Sequence, residues 1–390
     1  MKRIDRVRRW LESPLGLAIA LCLIARLIGL ALGGLLWQQG LIPTQPASPD
    51  QIYLDLPPVA GPVAGWTLGV WQRLDTAYYL QIAAHGYSAD NGTVAFPPLY
   101  PLLIRLAGGV LGGQYLLAAL LISTVSCIGL LALLAEMTAK ELDITSAQRA
   151  IVYLIFFPTG YILIAAYAES LMLCFILLTF RWARRERWWL AGLFAFLAAL
   201  TRLQAVVLIL PLAYLYLRRN GLGRSAFRQQ VLALAIPLLA PFGFDAYLAW
   251  RGLPSVQSSF AQHWYSTMAF PGTDLVGALR LLFTDGLTFP RALSLVMLAL
   301  FLALTVVAFR RLPLEYGLYM AGVLLYTLTR HELAGRALLS VSRHVLVLFP
   351  GLMVLGAIGQ KRCVHRLILY SSLALYLFLM GVFFMWGYAE

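Results

Sequence analysis

A carboxylate flanked by aromatic side chains is the first place in this sequence where chemistry could happen. In LGVWQRLDTAYYLQIAAHGY, helical spacing puts Trp71 four residues before Asp75, with Tyr78 and Tyr79 three and four residues after it. An acid beside an aromatic wall suits a base that takes a proton from a sugar hydroxyl. On the residues alone, a helix N-cap or a partner for Arg73 is the favoured reading of the two. Glu169, in AAYAESLML, falls at an expected turn between two short apolar runs, where it either contacts substrate or locks two helices through an arginine. Arg202, in AALTRLQAV, and Arg343 with His344, in SVSRHVLVL, stand at similar ends of apolar runs. A guanidinium fork can clamp a phosphate through two bonds, or its stem can snorkel toward lipid headgroups. For one arginine the second reading is favoured; for the whole set at one face, a shared anionic ligand is.

His85 and His263 are two lone histidines with no nearby carboxylate at ligand spacing, which is weak evidence for a metal, and no metal is expected. No cofactor is expected either. The chain lacks G-x-x-x-x-G-K-[ST], a strand-borne G-x-G-x-x-G, H-E-x-x-H and G-x-S-x-G, which argues against an energy-coupled pump or a soluble-type hydrolase. Asp245, beside Pro241 and Gly243 in an apolar run, reads as a structural carboxylate. Asn91-Gly92-Thr93 is a glycosylation sequon. Four scattered cysteines without C-x-x-C spacing support neither a disulfide framework nor a metal site.

The elements that must position these residues follow from composition. The 390 residues are 61% hydrophobic and only 12% charged, with mean hydropathy +0.79. A soluble chain is about 45–50% apolar and about 25% charged, so a soluble enzyme, a disordered chain and a secreted scaffold are excluded. The expected class is an all-α polytopic membrane protein forming a single transmembrane domain over 1–390. Apolar runs near 14–37, 114–138, 149–166, 168–181, 188–201, 203–217, 230–250, 291–309, 313–329, 343–360 and 367–387 predict about eleven spans. The first apolar run is too long for a cleavable signal and is read as a retained span.

The net charge of +13 does not imply a nucleic-acid partner, because the bases form short clusters between apolar runs. Twenty of the 30 lysines and arginines fall in alternate loops, which places the N-terminus inside and the C-terminus outside. Residues 39–95 then form a long external loop rich in aspartate and aromatic residues. Segment 97–111 reads as a helix in the outer interface, extending this external region to 112. Segments 251–290 and 330–342 are external too. No fixed-period repeat and no inverted pair of broken helices is visible.

The stretch WQRLDTAYYLQIAAHGYS followed by AFPPLYPLLIRL resembles the first-loop signature of the PIG-V mannosyltransferase family. There a tryptophan–aspartate element precedes "IA-x-HGY" and "F-P-x-YP" segments. FFPTGYILIAAYAESLMLCFILLTF is similar to the family's "FP-T" and "Y-x-ES" elements, and RRERWWLAGLFAFLAALTRLQAVVLILP to its "WW-LAG … A-x-L-TR" element. These elements run in order from 71 to 211, and the C-terminal half matches mainly at SRHVLVLFP. One departure stands out: the family's aspartate usually follows its tryptophan directly, whereas Gln72, Arg73 and Leu74 intervene here.

The resemblance implies a GT-C-type fold and an inverting glycosyltransferase acting at the external or lumenal face. Asp75 would activate the acceptor hydroxyl, and basic residues (Arg202, Arg343 and His344) would hold the phosphate of a polyprenyl- or dolichyl-phosphate sugar, with mannose the expected sugar. Trp71, Tyr78, Tyr79, His85, Glu169 and His263 would line the substrates. The eukaryotic relative adds the second mannose of the GPI anchor. Twenty-seven arginines against three lysines suggest a GC-rich prokaryote, hence the plasma membrane and a glycolipid or glycan acceptor; a eukaryotic protein would sit in the endoplasmic reticulum. The expected partners are the lipid-linked donor, the acceptor and membrane lipids. The alternative is a transporter or flippase for a lipid-linked sugar. That reading needs polar residues through the bilayer midplane, where Arg26 and Asp245 are the main candidates.

Overall fold

The computed structural model describes residues 13–43, 54, 56–59, 61–221, 229–332, 337–338 and 341–387. The N-terminal bases Lys2, Arg3, Arg6, Arg8 and Arg9, together with Asp50, Asp55, Arg224 and Arg228, lie outside the described residues.

The helices run in chain order as α1 (Pro14–Gln38), α2 (Ala64–Thr67), α3 (Asp75–His85), α4 (Leu99–Val110), α5 (Tyr115–Glu141), α6 (Ile144–Ile155), α7 (Glu169–Ala183), α8 (Trp188–Thr201) and α9 (Ile209–Asn220). They continue as α10 (Leu239–Trp250), α11 (Val256–His263), α12 (Thr273–Thr284), α13 (Phe289–Arg311), α14 (Leu314–Thr329), α15 (Val341–Leu346), α16 (Phe349–Ile358) and α17 (Arg362–Phe384). Among the described residues the sheet is one antiparallel ribbon, β1 (Ser266–Met268) with β2 (Arg330–Glu332), pairing Ser266 with Glu332 and Met268 with Arg330.

Among the described residues, five helical stretches are long and apolar enough to cross a membrane: Pro14–Gln38, Tyr115–Glu141, Gln229–Trp250, Phe289–Arg311 and Arg362–Phe384. The chain is therefore an all-α, multi-pass membrane protein. The other expected spans correspond to shorter or broken helices. The run at 149–166 is one of these: α6 stops at Ile155, and a 3₁₀ turn at Gly160–Leu163 follows. Pro158 breaks the helical ladder. Gly160 then folds onto the chain so closely that a Cβ would stand 2.5 Å from the Ile155 carbonyl. The run at 343–360 is likewise split between α15 and α16.

The chain divides into two compact units. One comprises Met1–Gly86, Tyr100–Cys174 and Leu355–Ala389; the other comprises Tyr87–Leu99 and Phe175–Val354, with Glu390. In the first unit α1 packs on α5, where the Cys22 and Cys127 sulfurs approach to 3.5 Å. Arg26 of α1 donates from Nη2 to Thr124 Oγ1 at 2.6 Å and to the Leu120 carbonyl at 3.2 Å. Asp143 caps α6, accepting from Ser146 N at 2.9 Å, Ser146 Oγ at 2.6 Å and Gln360 Nε2 at 3.0 Å.

In the second unit α13 and α9 pack on α14. Phe180 stacks on Tyr316, and both rings meet Phe349. The Arg184 guanidinium grips Glu315 Oε1 through Nε at 3.1 Å and Nη2 at 2.9 Å. Pairing leaves that buried carboxylate compensated.

Candidate active site

In the first unit, the chain after α1 turns back and runs down the same helix. A Cβ on Gly65 would meet the Trp37 ring at 2.8 Å, one on Gly33 the Trp66 carbonyl at 3.0 Å, and one on Gly29 the Trp71 ring at 2.9 Å. Residues 65–71 thus pass from the Gln38 end of α1 to a level about 13 Å along it. Small residues on α1 make this close approach possible. Trp71 is anchored there by the Arg26 guanidinium, 5.2 Å from its ring centre, and by Phe384, edge-on at 5.0 Å.

The residues that follow are pinned to backbone. Gln72 accepts from Val59 N at 2.8 Å and donates to the Pro57 carbonyl at 3.2 Å. Arg73 is buried, donating from Nη1 to the Gly69 carbonyl at 3.0 Å and from Nε to the Phe384 carbonyl at 3.3 Å, with its guanidinium over the Trp386 ring. Leu74 then takes a left-handed φ of 53°, a backbone state that a branched side chain adopts only under constraint. It resets the chain direction so that Asp75 becomes the first residue of α3. There the carboxylate meets the positive end of the helix dipole.

The helical spacing expected from Trp71 through Tyr79 is therefore broken. Trp71 closes a separate 3₁₀ turn, Gly69–Trp71, and its ring is enclosed by protein. Asp75 is 8% exposed and Tyr78 half-buried. Tyr79 is buried edge-on against Tyr100 at 4.9 Å and Tyr167 at 6.5 Å. His85 stands exposed in the last turn of α3.

Glu169 is buried and also opens a helix, as the first residue of α7. The two acidic helix starts are tied together. Thr76 Oγ1 donates to the Ala166 carbonyl at 3.4 Å, Ser123 Oγ to the Tyr167 carbonyl at 2.9 Å, and Ser170 Oγ to the Ser123 carbonyl at 3.1 Å. Tyr100 OH completes the chain, 2.7 Å from Ser123 Oγ. These bonds hold the first turns of α3 and α7 beside α5, so that the buried Asp75 and Glu169 each open a helix start fixed by neighbouring hydroxyl-to-carbonyl bonds.

The second unit gathers cations. Arg202 follows α8 in extended conformation, and Arg343 and His344 lie buried in α15. The His344 ring lies in the electrostatic reach of Arg202, Arg343 and a third arginine, Arg330. Arg330, on β2, donates to Ser266 Oγ at 3.2 Å, stacks over Phe260 at 4.9 Å and stands 3.6 Å from Glu332 Oε1. Burial pushes the Glu332 carboxyl above the usual carboxylate range, against the opposing pull of Arg330. Arginines of this number can clamp a phosphate.

His263 is also in this unit. Its Nε2–H donates to the Ala89 carbonyl at 3.0 Å, and its Cβ lies against Gly92, whose φ is +73°. It holds the 87–99 loop. Asp245 accepts from Val256 N at 3.3 Å, the structural use expected of it. Among the described residues no group of three or more His, Cys, Asp or Glu side chains is placed to hold a metal ion.

Sequence reasoning missed Arg330, which lies in no motif. It also missed Gln72 and Tyr100, whose roles arise from long-range hydrogen bonds. No family model matches the sequence, and no curated protein matches it. Among solved structures, the chain is similar to ArnT from Cupriavidus metallidurans bound to undecaprenyl phosphate, at 15% identity and a TM-score of 0.49, covering 96% of this chain and 76% of that one. The apo state of the same protein gives 14% identity and a TM-score of 0.44, over 80% of this chain and 70% of that one. The Archaeoglobus fulgidus oligosaccharyltransferase, tethered to an acceptor peptide, gives 13% identity and a TM-score of 0.37, over 96% of this chain and 55% of that one.

Proposed function

We propose that this protein is a membrane glycosyltransferase of the GT-C type. It moves a sugar, mannose by the PIG-V-like motifs, from a polyprenyl-phosphate donor to a membrane-tethered acceptor at the extracytoplasmic face. The observation that carries this reading is the placement of Asp75: a nearly buried carboxylate opening a helix, delivered down the flank of α1 by a segment pinned through Gln72, Arg73 and Trp71. A carboxylate held this way suits removal of a proton from an acceptor hydroxyl as it attacks the anomeric carbon. The departing lipid phosphate carries developing negative charge, which fixed guanidinium groups stabilise. Arg202, Arg343 and Arg330 are assigned that task, with His344 among them. Tyr78, Glu169 and the exposed His85 are assigned to substrate contact. Trp71 and Tyr79 shape the site from behind, and His263 shapes its loop.

The transport alternative is weakened by the two residues that would have served it. Arg26 is engaged by Thr124, Leu120 and Trp71, and Asp245 by the Val256 amide. The test is to incubate the purified protein with a panel of polyprenyl-phosphate monosaccharides and a glycolipid acceptor, following release of polyprenyl phosphate. Release that depends on acceptor and on Asp75 is the expected result. Movement of lipid-linked sugar between leaflets without release would overturn it.

A further inference from the structure

Helix α12, in the second unit, presents two faces of opposite character. Asp274 and Ala278, four residues apart, are 4% and 0% exposed. On the opposite side Val276, Leu279 and Phe283 form one apolar stripe. Phe283 is 91% exposed, and Phe270 and Leu287 continue the apolar surface just beyond either end. An apolar stripe this complete, turned away from the protein, is costly in water.

Both ends of the helix are fixed. At its start, the Asp274 carboxylate accepts from His331 Nδ1 at 2.5 Å, from the Glu332 amide at 3.2 Å and from the Leu338 amide at 3.3 Å. Beyond its end, Arg291 in the first turn of α13 donates to the Leu281 carbonyl at 3.1 Å and to the Gly286 carbonyl at 2.5 Å. Arg291 also stands 3.9 Å from Asp285. α13 is one of the membrane-crossing helices and begins only five residues after α12 ends. The last turn of α12 is therefore stapled to the mouth of a span, at the level where hydrocarbon meets headgroups.

We propose that α12 lies in the plane of the membrane surface, with Val276, Leu279 and Phe283 seated among the upper acyl carbons of the surrounding lipid monolayer. Arg280, exposed beside the stripe, reaches the headgroup phosphates. The Asp274 carboxylate makes this lipid-seated helix continuous with β2, the strand that carries Arg330. The seating does not depend on the glycosyl-transfer reading.

The test uses the full chain in lipid nanodiscs, with Cys363→Ser removing the exposed thiol and an environment-sensitive nitrobenzoxadiazole label on Phe283→Cys. Labelled Cys363→Ser protein supplies the background, and Asp90→Cys, at an exposed bend, the aqueous reference. The expected result at 283 is blue-shifted emission, loss of intensity when nitroxide-bearing lipids are included, and no loss with aqueous iodide. Position 90 should show the reverse. Leu279→Cys repeats the measurement should the first variant fold poorly. Iodide quenching at both 279 and 283 would overturn the proposal. So would blue-shifted emission insensitive to nitroxide lipid, which would mean that protein covers the stripe.

Discussion

Replacing Asp75 by asparagine isolates one property, because the side chain keeps its shape and its place at the start of α3 while losing its basic oxygens. A positioned general base contributes about 10²–10⁴-fold, so turnover should fall by that factor with expression and donor binding near wild type. Turnover above about a tenth of wild type would move the role to Glu169. In the cation set, Arg202→Ala, Arg343→Ala and Arg330→Ala should each weaken donor use by roughly ten- to a hundredfold, the worth of one charge-assisted hydrogen bond. Lysine should restore only part, since it keeps the charge and loses the fork. Glu332→Gln should act oppositely. Freeing Arg330 of its half-buried neighbour should tighten donor binding by up to about fivefold, read from donor titrations; weaker binding would remove Arg330 from the phosphate site. Asp75 could be nominated from the sequence because its motif is local, although the helical spacing that joined it to Trp71 is broken in the structure. Arg330 could not be nominated, since it meets Ser266 only through a ribbon pairing that no local pattern announces.

For the segment that carries the aspartate, Gly69 is the sensitive point. A Cβ there would stand 2.5 Å from the Val59 carbonyl, and backbone cannot swing aside. Gly69→Ala should cost about 1–3 kcal/mol in thermal unfolding and reduce turnover beyond that loss by tilting α3. At the cap of α6, Asp143→Ala should cost about 1 kcal/mol. The Ser146 hydrogen bonds hold the Asp143 carboxyl below its ordinary range. The cap's contribution is therefore present above the unfolded-state pKa and disappears as pH falls through the folded one. Wild type and variant should converge in stability well below about pH 4. The apolar run at 188–201 coincides with α8, Trp188–Thr201. Run length failed at 149–166, where Pro158 and Gly160 turn an apolar run into a packed turn, and helical spacing failed over Trp71–Asp75, where Leu74 takes a positive φ. Hydropathy measures burial in an apolar setting and does not distinguish a lipid-facing helix from a coil buried in protein.

Alternating basic segments make a claim about the whole molecule: residues 39–95 face outside and 181–187 inside. An impermeant thiol reagent should label Asp90→Cys in intact cells, and Arg185→Cys only after permeabilisation, both in the Cys363→Ser background. The reverse pattern would displace every role assigned above. Composition alone was enough for the membrane class, since 12% charge cannot coat a water-facing surface. The division into two units was not visible. The unit that carries Asp75 is assembled from three separate stretches of chain, and such long-range assembly leaves no trace in composition or periodicity.

The descent of residues 65–71 along α1 also sets a competition. Water is the most abundant hydroxyl available to any base that activates an alcohol, and an activated sugar phosphate that meets it is simply lost. Trp71 rests about 13 Å below the Gln38 end of α1, and Asp75 follows it four residues later with little of its surface reaching solvent. An acceptor fastened to lipid arrives at that depth already concentrated, whereas water is scarce there. On the proposed reading, depth is the fidelity device: transfer should outpace donor hydrolysis for tethered acceptors, and the ratio should collapse toward hydrolysis for the same sugar offered free in solution.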